Sequence, residues 1–93
     1  MLKGVRAHVI VTGLVQRVYY RVMVRQEACT LGITGWVKNR PDGTVEAMFE
    51  GEEEKVVKLI DWCRQGTPAS KVSSVQIEWG DFRSEYQNFR IIS

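Results

Sequence analysis

Residues 9–32 have the sequence VIVTGLVQRVYYRVMVRQEACTLG, in which one side-chain periodicity gives way to another. The β-branched run at positions 9–12 predicts a strand that ends in a loop at Gly13. Apolar residues then recur at spacings of four, four and three, and they predict a helix that stops at Gly32: Tyr20, Val24, Ala28 and Leu31. This stretch therefore predicts a strand, a loop and a helix in that order.

The next segment of the chain has the pattern of a β-hairpin. Strands are predicted at residues 36–39 and 45–50, and the turn between them contains Pro41, which presets φ, and Gly43, which permits a positive φ. In the second strand, apolar Val45, Ala47 and Phe49 alternate with Glu46, Met48 and Glu50. One face of this strand is therefore more apolar than the other.

The second half of the chain completes the fold. Residues 52–54 are three glutamates that suit a helix N-terminus, and an apolar stripe predicts a helix ending at Gly66: Val56, Leu59, Ile60 and Cys63. Alternation at residues 75–79 predicts a strand, and residues 89–92 predict a short terminal one. The order βαββαβ predicts an α+β, ferredoxin-like sandwich, with two helices on one face of an antiparallel sheet and a short extra C-terminal strand.

The length of the chain limits both its architecture and its site. Ninety-three residues predict a single domain, 1–93, with a radius of gyration of about 12 Å. That size favours an active site in a surface loop. Hydrophobic residues make up 44% and charged residues 26%, as in ordinary globular domains. Because we find neither a membrane-length apolar run nor a signal peptide, we expect a cytoplasmic protein with no membrane partner.

The cysteines and the single histidine do not suggest a metal site. Cys29 and Cys63 fit no zinc spacing, and His8 alone does not complete a tetrahedral set, so we expect no metal and no cofactor. The thiols are expected to be free and buried. They lie late in two antiparallel helices, at opposite ends, so a disulfide between them is not expected.

Charge is unevenly distributed along the chain. The net charge of +2 is too small to predict nucleic-acid binding. Residues 1–41 hold seven Lys or Arg against one acid, giving +6, whereas residues 42–93 hold six against ten, giving −4. We therefore expect an anion site in the first half.

The loop at residues 13–21 has the features of a phosphate site. A phosphate group is bound well by several backbone N–H donors at a helix N-terminus and by a guanidinium. Arg21 opens the predicted helix, and the loop contains no proline, so each of its residues keeps an N–H. The alternative is that Arg21 is a solvated surface residue.

Asn39 ends the strand before the hairpin turn. In a split βαβ unit the first two strands are parallel, so Asn39 and the loop after the first strand are expected at the same edge of the sheet. A neutral amide suits a water-orienting role beside a phosphate, which would repel a carboxylate. A simple turn-forming role for Asn39 is the alternative.

Together, the two segments resemble the signatures of the acylphosphatase family. The first signature, Gly-x-Val-Gln-Gly-Val-x-Phe-Arg, is matched at Gly13, Val15, Gln16, Val18 and Arg21. The second is matched without a gap at Gly35, Trp36, Val37, Lys38, Asn39, Gly43, Val45 and Gly51. The resemblance covers nearly the whole chain.

The resemblance implies hydrolysis of acyl phosphates to a carboxylate and inorganic phosphate. We expect this hydrolysis to need no metal and the protein to be a monomer. The resemblance also implies that Asn39 holds the attacking water and that the phosphoryl group is bound by Arg21 and by the loop N–H groups of Val15, Gln16, Arg17, Val18, Tyr19 and Tyr20. A carboxylate leaving group needs no general acid. Phosphoryl transfer needs mostly positioning and charge stabilisation, which a cationic loop can supply without a side-chain nucleophile or a metal. His8 is expected to be structural.

Arg17 departs from the family signature, which has glycine at this position. If that position requires a positive φ, a side chain costs about 1 to 3 kcal/mol. A weakened, anion-binding acylphosphatase domain is therefore one alternative to an active enzyme. A second alternative, independent of Arg17, is a ferredoxin-like binding module. The sheet lacks the interleaved aromatic and basic residues that an RNA-binding module would need.

Overall fold

The structure is a computed structural model that describes residues 3–93, with five strands and two helices. The strands are β1 (Gly4–Leu14), β2 (Thr34–Asn39), β3 (Val45–Glu52), β4 (Lys71–Asp81) and β5 (Phe89–Ile91). The helices are α1 (Tyr20–Thr30), which follows β1, and α2 (Glu53–Gln65), which follows β3. Neither helix is long and apolar enough to span a membrane.

The five strands form one sheet in the order β4-β1-β3-β2-β5. The central strand β3 is antiparallel to both β1 and β2, so β1 and β2 run in the same direction. β4 pairs antiparallel with β1, and β5 pairs parallel with β2. The predicted ferredoxin-like sandwich is confirmed, and the short terminal strand makes the sheet mixed instead of purely antiparallel.

The core lies between one face of the sheet and the two helices. Alternate residues of β1 are buried. The apolar stripes predicted on the two helices are also buried, except that Leu31 stays partly exposed. The Tyr20 hydroxyl donates a 2.8 Å hydrogen bond to the Cys63 carbonyl oxygen, which joins α1 to α2 inside the core. This bond satisfies a polar atom that would otherwise be buried without a partner. Burial also raises the pKa of Tyr20.

Strand β1 is longer than the sequence pattern predicted. It continues past Gly13 to Leu14, because a bulge between Thr12 and Gly13 lets pairing with β4 resume at Val72 and Lys71. Gly13 has φ 137°, and a Cβ there would lie 2.1 Å from the Lys71 carbonyl oxygen. The glycine that was expected to end the strand is therefore where the strand bends towards the loop.

Glu50 is a buried acid on the less apolar face of β3. Its side chain is fully buried, and its two carboxylate oxygens accept backbone N–H groups of Arg83 at 2.8 Å and Glu85 at 3.0 Å. These bonds satisfy the carboxylate and hold the 82–88 segment against the sheet. The segment in turn leads into β5, so a buried acid helps to place the terminal strand.

Cys29 corrects the expectation that both thiols are buried. Both thiols are free, as predicted, but Cys29 is exposed and only Cys63 is buried. The buried face of α1 passes through Val24 and Ala28, and one residue further along a helix turns the side chain by about 100° towards solvent.

The two thiols should therefore differ in reactivity. Burial raises the pKa of Cys63 to about 12, so at pH 8 only about one Cys63 in 10⁴ is the reactive thiolate. We expect iodoacetamide to modify Cys29 alone in the native protein and both cysteines in urea, as measured by peptide mass spectrometry. Equal native labelling of Cys63 would contradict the packing described above.

Gly35 should be the least replaceable glycine of the hairpin. A Cβ at Gly35, where φ is 139°, would lie 1.8 Å from the Met48 carbonyl oxygen. We expect Gly35→Ala to lower the free energy of unfolding by about 3 kcal/mol or more, because backbone strain adds to steric overlap. Urea denaturation measures the effect.

Gly43 provides the matched control. It also has a positive φ, 91°, but a Cβ there would meet nothing within 4 Å. Gly43→Ala should cost only the backbone strain, about 1 kcal/mol. Equal losses of stability in the two variants would show that the contact with β3 does not matter.

Candidate functional site

A pocket of about 370 Å³ lies where β1 leads into α1. It is lined by Val15, Arg17, Tyr19, Tyr20, Arg21 and Val22. Five of these are residues that the sequence assigned to a phosphate site. Three predicted site residues lie outside the lining: Gln16, Val18 and Asn39. Val18 packs against the core, the Gln16 side chain bonds to the hairpin turn, and Asn39 ends β2.

The loop backbone alternates in handedness. Arg17 has φ 63° and Tyr19 has φ 60°, while Val18 between them is not in the positive-φ region. Such alternation turns successive N–H groups towards one side and forms a concave site for an anion. The strained position suspected at Arg17 is therefore real, and the sequence did not reveal the second one at Tyr19.

The N-terminus of α1 points several free N–H groups at the same region. The first helical hydrogen bond runs from the Met23 N–H to the Tyr19 carbonyl oxygen, at 3.2 Å. The N–H groups of Tyr20, Arg21 and Val22 therefore have no partner within the helix. The helix has no capping side chain and no acid in its first turn. Its positive dipole end is thus available to an external anion.

The arginines near the pocket differ in how they are paired. Arg40, in the hairpin turn, lies 3.6 Å from the Asp42 carboxylate. Among residues 3–93, neither Arg17 nor Arg21 has a carboxylate within ion-pair distance. No acidic residue lines the pocket. The pocket therefore has a net positive charge that the described chain does not neutralise.

The Gln16 side chain connects the loop to the hairpin. Its Nε2 atom donates hydrogen bonds to the Arg40 carbonyl oxygen at 2.8 Å and the Thr44 carbonyl oxygen at 2.9 Å. The Arg40 N–H donates to the Thr44 carbonyl oxygen at 2.9 Å and closes the turn. We call these contacts the Gln16 tether. Sequence reasoning missed the tether because it assigned Gln16 only a backbone role.

Asn39 is placed as the sequence predicted, at the end of β2 and directly before the tethered turn. Its partner in β3 is Val45. The Asn39 Oδ1 atom is buried, and no donor among residues 3–93 bonds to it. A buried, unpaired acceptor is costly in a folded protein and is frequently found where a ligand or a bound water supplies the missing hydrogen bond.

The turn after Asn39 is rigidified from within. The Asp42 carboxylate accepts the Thr44 N–H at 3.0 Å and the Thr44 hydroxyl at 2.6 Å. The hydroxyl bond, then the N–H bond, hold the pKa of Asp42 below its usual value, and Arg40 adds to the effect. The turn is therefore held in place by its own side chains and by the Gln16 tether.

His8 lies away from the pocket, on the sheet face opposite the helices. Its Nε2 is 2.6 Å from the Glu46 carboxylate, and its ring meets Trp36 edge-on. Burial alone would raise the pKa of Glu46, but the hydrogen bond with His8 and the charge of Lys38 outweigh it and lower that pKa. These contacts fit the structural role expected for His8. Residues 3–93 contain no cluster of three His, Cys, Asp or Glu side chains suited to a metal ion.

Comparison with known families and sequences gives a consistent result. The family model described as Acylphosphatase matches residues 7–91. An acylphosphatase of Pelotomaculum thermopropionicum is 56% identical over 86 residues, which cover 92% of this chain and 94% of the relative.

Comparison with solved structures agrees. The crystal structure of an acylphosphatase from Bacillus subtilis superposes with a TM-score of 0.92 at 34% identity, covering 96% of this chain and 99% of that one. An acylphosphatase structure from Coxiella burnetii gives a TM-score of 0.91 at 38% identity, covering 97% and 94% of the two chains.

Proposed function

The chain belongs to the acylphosphatase family of hydrolases, which act on a small-molecule substrate and release phosphate, and we propose that Arg21 and Asn39 carry this reaction at the pocket described above. The observation that carries the assignment is the pocket at the α1 N-terminus, which holds two arginines and no acid. The predicted site residues then have distinct roles in the hydrolysis of an acyl phosphate.

The loop and Arg21 bind the phosphoryl group. The free N–H groups at the start of α1 and the alternating loop backbone supply donors, and the Arg21 guanidinium supplies two parallel ones. Loop N–H groups from Val15 to Tyr20 complete the set. Because these donors are fixed by the fold, they need little reorganisation when charge redistributes in the transition state.

Asn39 holds the attacking water. Its buried Oδ1 accepts an O–H of the water, which directs the water oxygen towards phosphorus in line with the leaving oxygen. A new P–O bond forms, and the bond between phosphorus and the acyl oxygen breaks. The products are a carboxylate and dihydrogen phosphate, which loses a proton to solvent according to pH.

The reaction depends little on acid–base catalysis by protein side chains. The leaving carboxylate has a conjugate acid with a pKa of about 4, so it departs as an anion without protonation. Positioning and charge stabilisation dominate phosphoryl transfer. An arginine, an amide and a row of N–H groups are therefore sufficient, and we propose that the reaction needs no metal ion.

We also propose that the protein acts as a monomeric, cytoplasmic enzyme made of one domain, 1–93. The match to the family extends over residues 7–91, which supports a single domain. The free thiols of Cys29 and Cys63 fit a reducing compartment. The small net charge of +2 favours a small-molecule partner over nucleic acid.

The proposed roles predict separate effects on turnover and on binding. With benzoyl phosphate and a chelator present, the unmodified protein should release phosphate. Asn39→Ala should reduce kcat about 100-fold or more while inhibition by inorganic phosphate persists, because the water loses its position but the phosphoryl cradle remains. Arg21→Gln should weaken phosphate inhibition as well as turnover.

Two variants serve as matched controls. Asn88→Ala removes an exposed amide at the far end of the sheet edge, and Arg25→Gln removes the same charge as Arg21→Gln one turn further along α1. Both should retain activity. An absolute requirement for a divalent metal, or unchanged turnover in Asn39→Ala, would refute the mechanism.

The Gln16 tether predicts an effect on turnover without direct contact with substrate. Gln16→Ala removes both hydrogen bonds to the hairpin, so Asn39 should lose its fixed position relative to the loop. We expect kcat to fall about 10- to 100-fold with a much smaller change in the inhibition constant of phosphate. Steady-state kinetics with benzoyl phosphate measure both quantities.

Gln26→Ala is the control for the tether, because Gln26 is an exposed glutamine on α1. It should behave like the unmodified protein. If Gln16→Ala weakened phosphate inhibition as strongly as it lowered kcat, Gln16 would act on the loop itself and not through Asn39.

A further inference from the structure

Arg17 lines the pocket but has no hydrogen-bond or ion-pair partner among residues 3–93. Its side chain is exposed and makes no hydrogen bond or ion pair with any residue among 3–93. Arg40, across the tether, is neutralised by Asp42 instead. Arg17 is therefore an exposed cation on the pocket lining, unpaired within residues 3–93, and it is available to bind an anion.

The backbone at Arg17 also calls for an explanation. Its φ of 63° is a conformation that glycine adopts freely and a side chain does not. No hydrogen bond or ion pair of the Arg17 side chain with residues 3–93 offsets this strain. Strain that persists at a ligand site is commonly retained because the strained residue contributes to function.

The pocket is larger than a phosphoryl group requires. A phosphoryl group occupies roughly the volume of three waters, about 90 Å³ at 30 Å³ each, whereas the pocket has about 370 Å³. Arg21 and the N–H groups of α1 already supply donors for the phosphoryl oxygens. The remaining space, with Arg17 beside it, is available to the acyl part of the substrate.

We propose that Arg17 is a specificity-determining residue that favours acyl phosphates whose acyl part carries a second negative charge, such as a carboxylate or another phosphate. The proposal rests on the function proposed above, because it requires the phosphoryl group to lie at Arg21. The Arg17 guanidinium then binds the distal anion, and the absence of acids from the pocket lining leaves this attraction unopposed.

The test compares substrates that differ in one group. Benzoyl phosphates with a carboxylate at the 3- or 4-position are measured against the corresponding carbamoyl compounds, which are neutral and similar in size. For the unmodified protein, kcat/KM for at least one carboxylate compound should exceed that for its carbamoyl partner by about three- to fivefold. The preference should decline as salt is raised.

Variants then assign the preference to Arg17. Arg17→Gln and Arg17→Gly should reduce the carboxylate-to-carbamoyl ratio to about one, and Arg17→Lys should retain part of it. Arg25→Gln should leave the ratio unchanged, because Arg25 is exposed on α1 outside the pocket lining.

Each alternative outcome has a distinct meaning. If all substrates lose kcat/KM equally in Arg17→Gln, Arg17 binds the phosphoryl group and the specificity proposal is wrong. If Arg25→Gln lowers the ratio equally, the cause is the general positive potential, and the proposal is again wrong. If the unmodified protein hydrolyses none of these compounds, nor benzoyl phosphate itself, the proposed function fails first.

Discussion

The site depends on one side-chain amide that joins two separate parts of the chain. The two hydrogen bonds of the Gln16 Nε2 atom, 2.8 and 2.9 Å long, link the loop after β1 to the turn after β2. Strand β3 lies between β1 and β2 in the sheet, so sheet pairing alone leaves these two ends a strand apart. The Gln16 tether joins the loop after β1 to the turn that directly follows Asn39.

The other features of the site are polar groups that have no hydrogen-bond partner within residues 3–93. Helix α1 lacks a capping side chain and an acid in its first turn, and the Asn39 Oδ1 atom has no donor within the described part of the chain. Each of these omissions is unfavourable in an isolated fold, and the proposed phosphoryl group and water would supply the missing partners. The left-handed backbone at Arg17 belongs to the same pattern.

Features that the sequence pattern did not predict have a common physical origin. Glu50 lies on the less apolar face of β3, yet the distant 82–88 segment supplies the N–H groups that make its burial tolerable. Cys29 lies beside a buried position, and only the rotation of α1 against the sheet decides that it is exposed. Gly13 permits a bend that β4, fifty-eight residues further on at Lys71, converts into continued pairing.

Local periodicity was enough to predict the element order and the ferredoxin-like class, because the spacing of side chains close in sequence sets which face they occupy. The resemblance of two long motifs to family signatures was enough to indicate the family, and it singled out Arg21 and Asn39 as the residues proposed to act in catalysis. Only the tertiary structure decided that Gln16 joins the loop to the hairpin, that Tyr19 shares the left-handed backbone of Arg17, and that Arg17 stays unpaired beside the pocket. Each of these depends on how segments remote in sequence meet, and no periodicity records which carbonyl or carboxylate will lie within hydrogen-bond reach.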